Sequence, residues 1–220
     1  MYQVYGDMLS GNCYKIKLLM RFLNLDHTWI PVDILAQETH TASFKQMNPN
    51  TRIPVLDLGD GRYLWESNAI LNYLAQGTEF LPGDRYLQAQ VLQWQFFEQY
   101  SHEPYIATAR YINKYLGLPA DRQAEYHSKQ AGGHKALAVM EQHLSQHAYF
   151  VGDRPTIADI SLYAYTHVAP EGGFDLAPYT QIQRWLREFE TLPGYLVMAR
   201  ENIESGEANA PILGTGEALG

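Results

Sequence analysis

A chain of 220 residues, 46% of them hydrophobic, carries enough apolar material for one large domain or two smaller ones. Its formal charge of −8, from 16 basic and 24 acidic side chains, argues against nucleic acid or an anionic membrane surface as a general partner, and no apolar run is long enough to span a bilayer. A single cysteine, Cys13, excludes an internal disulfide framework and fits a reducing cytoplasm, and the opening Met1-Tyr2-Gln3-Val4-Tyr5-Gly6 shows no charged leader or cleavage pattern.

In chain order, Tyr2 to Tyr5 reads as a strand, and Ile16, Leu19, Met20 and Leu23 recur at helical spacing in the helix after it. Asp26 to Val32 reads as a second strand, and Phe44 and Met47 mark a short helix ending near Asn48-Pro49. Asn50-Thr51-Arg52 is a turn, Ile53 to Leu58 a short strand, Asp60-Gly61 a tight hairpin turn and Arg62 to Trp65 the returning strand. Ser67 then caps a helix over Asn68 to Gln76. The order βαβ, α, ββα predicts a mixed sheet with helices on both faces. Phe80-Leu81-Pro82-Gly83-Asp84 breaks the pattern and reads as a linker, with Asp84 capping the next helix.

Beyond the linker only helical periodicity remains. A long helix carries Leu87, Val91 and Trp94 on one stripe, runs to about Leu116 and is expected to kink at Pro104. Trp94, Phe96, Phe97, Tyr100, Tyr105, Tyr111 and Tyr115 cannot all face one core, so part of this aromatic load is left for a cleft or a subunit contact. A further helix spans about Asp121 to Gln146, with Gly132-Gly133 as a weak point in its middle. Thr156-Ile157-Ala158-Asp159 reads as a capping box, opening a helix whose narrow apolar face is Ile157, Ile160, Ser161 and Ala164. Ile182, Trp185, Leu186 and Phe189 give another amphipathic helix, stopped by Pro193-Gly194, and Tyr195 to Asn202 a last short one. The segmentation is 1–78 for the sheet domain, 79–85 for the linker, 86–205 for an all-helical domain and 206–220 for a tail.

One stretch points to chemistry. X-Pro bonds alone adopt cis cheaply, so Pro54 at a strand entrance is a candidate cis peptide that would turn the Ile53 backbone N–H and C=O toward a ligand. Ser67 at a helix start offers N–H groups and a positive dipole end to a carboxylate, while Glu66 offers the opposite charge to an amine. An amine and a carboxylate on one carbon are what an α-amino acid end presents. The same residues also admit a plain structural reading, with Ser67 as a cap, Pro54 trans and Glu66 solvated.

Four motifs in order, Ser10-Gly11-Asn12-Cys13, Asn48-Pro49 before Ile53-Pro54-Val55-Leu56, Glu66-Ser67-Asn68-Ala69-Ile70 and Thr156-Ile157-Ala158-Asp159, resemble those of cytosolic glutathione transferases over nearly the whole chain. The resemblance implies a thioredoxin-like first domain (α/β, βαβαββα) followed by an all-helical domain. It implies glutathione as co-substrate, no metal and a homodimer. On that resemblance Glu66 and Ser67 hold the γ-glutamyl end, and the Ile53 main chain before cis-Pro54 pairs with the cysteinyl backbone. Ser10 stands where serine-type members place the hydroxyl that bonds the glutathione sulfur, with Asn12 as a helper. Cys13 stands where some bacterial members place a cysteine able to form a mixed disulfide. His40 and Arg52 are the candidates for the glycine carboxylate. Met8 and Leu9, with some of Tyr100, Tyr105, Tyr111, Tyr115 and Phe174, are the candidates for an apolar pocket that receives a hydrophobic electrophile. The implied activity is attack of the glutathione thiolate on such an electrophile, with glutathione-dependent disulfide exchange and non-catalytic binding as alternatives.

Overall fold

The structure is a computed structural model and describes residues 1–199. Four strands, β1 (Tyr2–Gly6), β2 (His27–Pro31), β3 (Val55–Asp57) and β4 (Tyr63–Trp65), form one sheet in the order β2-β1-β3-β4. β1 pairs parallel with β2 and antiparallel with β3, and β3 pairs antiparallel with β4. The parallel pair needs a crossover, supplied by α1 (Gly11–Phe22), whereas β3 and β4 need only the hairpin turn, where Gly59 and Gly61 take positive φ. α2 (Ala42–Met47) lays Phe44 against Val32 and Val55, a small cluster separate from the main core. α1 and α3 (Ser67–Leu74) bury Leu18, Leu19, Ile70 and Leu71 in that main core, so helices cover both faces of a thioredoxin-like sheet.

The helical domain comes next. α4 (Arg85–Phe97) is capped by Asp84, whose Oδ1 accepts from the Tyr86 and Leu87 N–H groups at 2.9 Å each. The long helix expected to run to Leu116 widens into a π-helical turn over Glu98–His102, resumes as α5 (Glu103–Arg110) and widens again over Tyr111–Tyr115. Pro104 is the physical reason for the first break, since it has no N–H and its ring crowds the carbonyl four residues back. α6 (Gln123–Leu144) is continuous through Gly132-Gly133. That pair is no weak point but the place where the Tyr105 and Phe174 rings lie so close that a Cβ would collide with them.

α7 (Ile157–Thr166) carries the expected capping box, but every one of its residues is buried rather than only a narrow face. Asp159 accepts from Thr156 N–H at 2.9 Å, from Phe150 N–H at 3.1 Å and from Trp185 Nε1 at 3.1 Å, and burial pushes its carboxyl up to about 6. α8 (Thr180–Glu190) closes the helical layer with Ile182, Trp185 and Phe189. Tyr195–Met198 is irregular rather than helical, residues 200–202 of that expected helix and the 206–220 tail lie outside the described residues, and Tyr195 OH meets Tyr163 OH at 2.6 Å. The main core runs without a break from Val4, Leu18 and Ile70 into Ile160, Phe174 and Trp185, so α7 docks the helical layer onto α1. Among the described residues no helix is long and apolar enough to cross a membrane.

Candidate functional site

A cavity of about 210 Å³ opens where the ends of α1, β3 and α3 meet the helical domain. Three loops build its sheet side. After β1, the Asp7 carbonyl accepts from Ser10 N–H at 3.1 Å and the Asp7 carboxylate from Leu9 N–H at 2.8 Å. That turn sets Ser10 as the N-cap of α1, its Oγ accepting from Cys13 N–H at 3.4 Å, and aims Asn12 of the first turn into the cavity.

The second loop is braced by buried Asn48. Its Nδ2 donates to the Arg52 carbonyl at 2.7 Å and its Oδ1 accepts from Asn50 N–H at 2.9 Å. Arg52, Ile53 and Pro54 line the cavity, the Ile53-Pro54 bond is cis, and among the described residues the Ile53 N–H and C=O bond to no other group.

The third loop holds Glu66 at φ 70° and ψ 111°, a conformation costly for a residue with a Cβ and of the kind that collects at binding sites. Glu66, not Ser67, is the N-cap of α3. Ser67 is the first helical residue, 5% exposed, and the helix ends at Leu74 rather than Gln76. Both residues line the cavity. The change of role follows from the strained φ, which lets the Glu66 carbonyl accept from Ile70 N–H at 3.0 Å and leaves the Ser67 side chain free to bond elsewhere.

That side chain enters a buried polar network that joins the two layers. Ser67 Oγ donates to Asn12 Oδ1 at 3.0 Å, and Lys15 Nζ donates to the same oxygen at 2.8 Å. Lys15, fully buried, pairs with fully buried Glu98 at 2.9 Å and lies 3.8 Å from Glu103. Asn12 Nδ2 donates to Glu103 Oε1 at 2.8 Å, and Gln99 Nε2 bridges Glu98 at 2.8 Å and Glu103 at 2.6 Å. Asn68 completes the set, donating to Glu98 at 3.2 Å and accepting from Ser161 of α7 at 2.6 Å. Burial holds the Glu98 carboxyl above the ordinary carboxylate range, and the Lys15 ammonium pulls it back. Gln99 and Glu103 form the helical wall of the cavity.

Comparison with known proteins fixes the relationship. A model of the glutathione S-transferase N-terminal domain matches residues 9–76, and one of the C-terminal domain matches residues 93–193. A solved glutathione S-transferase from Pseudomonas fluorescens is 58% identical, covers 90% of this chain and 98% of its own, and superposes with a TM-score of 0.88. The chain belongs to the glutathione S-transferase family. More distantly, it is 28% identical to Glutathione S-transferase 3 of Zea mays over 88% of this chain and 90% of that protein. It is 25% identical to Protein URE2 of Candida maltosa over 89% of this chain and 72% of that protein.

Of the residues singled out for the glutathione S-transferase resemblance, Asn12, Arg52, Ile53, Pro54, Glu66 and Ser67 converge on the cavity. Ser10 caps α1 beside it without lining it. Cys13 points the other way: its Sγ lies so close beneath Gly6 of β1 that a Cβ there would collide, it is fully buried, and burial pushes its thiol up to about 12. His40 is exposed on the turn Glu38–His40, apart from the cavity lining.

The apolar pocket expected from Met8, Leu9, Tyr105 and Tyr111 is not part of this cavity. Tyr105 fills the space over Gly132, and Tyr111 packs against Tyr115 with ring centres 5.3 Å apart. The Met8-Leu9 loop is instead pinned by the helical layer. Arg110 Nη1 donates to the Leu9 carbonyl at 2.7 Å and Tyr115 OH to Asp7 at 3.2 Å.

Sequence reasoning missed Lys15, Glu98, Gln99 and Glu103. The signal for two of them was present. Lys15 shares its helical stripe with Leu18, Leu19 and Phe22, and Glu98 shares its stripe with Val91 and Trp94, so each is a charge on an apolar face and needs a partner.

Proposed function

We propose that the protein is a glutathione transferase that activates the glutathione thiol for attack on a hydrophobic electrophile. The observation that carries this reading is the meeting, around one cavity, of the cis Ile53-Pro54 bond, the Glu66-Ser67 start of α3 and Asn12 in the first turn of α1. The cysteinyl backbone pairs with the free Ile53 N–H and C=O. The γ-glutamyl carboxylate sits at the α3 N-terminus, where N–H groups lack helical partners and the dipole is positive, and the amine lies on the acidic side by Glu66. Arg52, on the cavity wall, is better placed than His40 for the glycine carboxylate.

The sulfur belongs at the α1 N-terminus. A free thiol with a pKa of about 8.5 is mostly protonated near neutrality, so a positive helix end and one hydrogen-bond donor enlarge the reactive thiolate fraction. The Ser10 hydroxyl accepts from Cys13 N–H and keeps its own proton to donate to sulfur. The glutathione S–H gives its proton to solvent. The thiolate electron pair then forms a carbon–sulfur bond, and the leaving group departs with the pair of the bond that breaks. Cys13, buried with a raised thiol pKa, weighs against the alternative in which this chain forms a mixed disulfide.

A homodimer is supported by two sets of exposed large apolar side chains, Tyr63 and Trp65 on the edge strand β4 with Tyr73 on α3, and Leu92, Phe96 and Tyr100, spaced four apart along α4 and the π turn. The test is glutathione binding, conjugation to an activated chloroarene and disulfide reduction for the parent, Ser10→Ala and Cys13→Ala. Binding with conjugation that falls in Ser10→Ala and persists in Cys13→Ala is the expected result. No glutathione binding in the parent removes the reading. Disulfide reduction lost only in Cys13→Ala favours the oxidoreductase, and binding with neither reaction favours a binding module.

A further inference from the structure

We propose that Arg110, the last residue of α5, is a positioning residue for the reaction: it holds the Leu9-Ser10 peptide so that the Ser10 hydroxyl is presented to the glutathione sulfur. The inference rests on the protein activating that thiol through Ser10. Ser10 stands beside the cavity rather than in its wall, so its placement depends on the loop that carries it. A peptide unit is planar, and here both edges of one plane are clamped. The Leu9 carbonyl accepts from Arg110 Nη1 at 2.7 Å, and the Ser10 N–H donates to the Asp7 carbonyl at 3.1 Å. The next plane is held as well, because the Ser10 carbonyl accepts from Tyr14 N–H at 2.9 Å. With both planes set, the direction of the Ser10 Cα–Cβ bond is set. The Cys13 N–H, donating to Oγ at 3.4 Å, then leaves only the hydroxyl proton to turn.

Arg110 brings the helical domain to that peptide. Its side chain is 3% exposed, and its Nε donates to Glu171 Oε2 at 2.7 Å. The pair with Glu171 alone would tie α5 to the 169–172 turn, whereas the bond to Leu9 crosses 101 positions of sequence into the other domain. A charged donor makes a stronger bond to a carbonyl than a neutral one does, and a planar fork held at two points has little freedom left. Tyr115, whose ring centre lies 5.8 Å from the guanidinium, braces the same loop from its other side. Its hydroxyl donates to the Asp7 carboxylate at 3.2 Å, and that carboxylate accepts from Leu9 N–H at 2.8 Å. Without Arg110 the carbonyl edge of the Leu9-Ser10 plane is free, and the hydroxyl is no longer held at one distance from the sulfur.

The experiment is a double-mutant cycle of Arg110→Met and Ser10→Ala, read by the ultraviolet absorbance of bound glutathione thiolate as pH is varied. R110M is expected to raise the pKa of the bound thiol by about one unit, so that kcat falls about tenfold below that pKa and little above it. S-methylglutathione, which has no ionisable thiol, should bind R110M within about twofold of the parent. In the Ser10→Ala background the same change should add nothing, since no hydroxyl is left to place. Additive shifts would mean that the Arg110 charge acts on the thiolate directly, and they overturn the proposal while leaving thiol activation intact. An unshifted pKa in R110M, or a loss of S-methylglutathione affinity in step with kcat, overturns it equally. A parent whose bound thiol is no more acidic than free glutathione, or an unshifted pKa in Ser10→Ala alone, overturns activation through Ser10 itself instead. Thermal unfolding checks that R110M is folded. Should it not be, Arg110→Lys keeps the charge without the planar fork and is expected to raise the thiol pKa in part, again with no further effect in the Ser10→Ala background. A parental pKa in R110K overturns the proposal.

Discussion

The two walls of the cavity are built by different means. The sheet wall is made of short contiguous pieces, Asn48 to Pro54 and Glu66-Ser67, and presents mainly backbone groups and helix ends held by neighbours a few residues away. The helical wall is made of side chains from a π turn, fixed by partners that lie 83 and 91 residues away in sequence, Lys15 to Glu98 and Asn12 to Glu103. A backbone site survives most substitutions around it, whereas a site made of a buried charge network depends on every member, because each charge is out of water and its neighbours supply its solvation. Binding geometry should therefore be robust on one side and brittle on the other.

Lys15→Met is the harshest way to break that contrast. It leaves fully buried Glu98 without its cation, and the expected loss of about 3–5 kcal/mol is read from denaturant unfolding. A second change, Glu98→Gln on top of it, should recover part of the loss; no recovery would mean that the packing of Lys15 rather than its charge matters.

Next in size is an acid-sensitive contribution close to the same wall. His102, fully buried with Nε2 at 3.0 Å from Thr166 Oγ1, has its pKa lowered to about 3 by burial and then by Lys15. A base whose folded pKa lies below the unfolded value of about 6.5 contributes stability that is complete above that value and declines as pH falls below it. Between about pH 7 and about pH 5 the parent should lose about 2 kcal/mol relative to His102→Asn. A stability difference that stays constant over that range would show that His102 is protonated in the fold.

At the two candidates for the glycine carboxylate the effects should be smaller and confined to binding. Arg52→Ala is expected to weaken glutathione affinity by about threefold to tenfold, as for an exposed charge contact, and His40→Ala to leave it nearly unchanged. The reverse ranking in a binding titration would move the glycine carboxylate to the 38–40 turn. No effect on catalysis is expected from Cys13→Ala, with conjugation kept at the parental rate and a stability cost of about 1 kcal/mol for the small cavity beneath Gly6.

The same contrast explains what the sequence disclosed. Ile53-Pro54 and Glu66-Ser67 were legible because proline, a carboxylate and a hydroxyl next to a strand or helix start act through local geometry, and the strand order followed from period and turns. The Glu66 cap was misplaced by one residue because nothing local announces a positive φ at a glutamate. Glu98 and Glu103 were illegible as a pair because their common face exists only once a π turn replaces an α turn. Pro104 marked a break there without stating its form. Gly132-Gly133 misled for a related reason, since the rings of Tyr105 and Phe174 that require them come from other elements.

Whether the cavity holds glutathione by the start of α3 is tested most directly by titrating glutathione into the unmodified chain by calorimetry beside the double variant Glu66→Ala with Ser67→Ala. Saturable binding by the parent and loss of most of that affinity in the variant is the result expected from the cavity. No binding by the parent, or the same affinity in both, would contradict it.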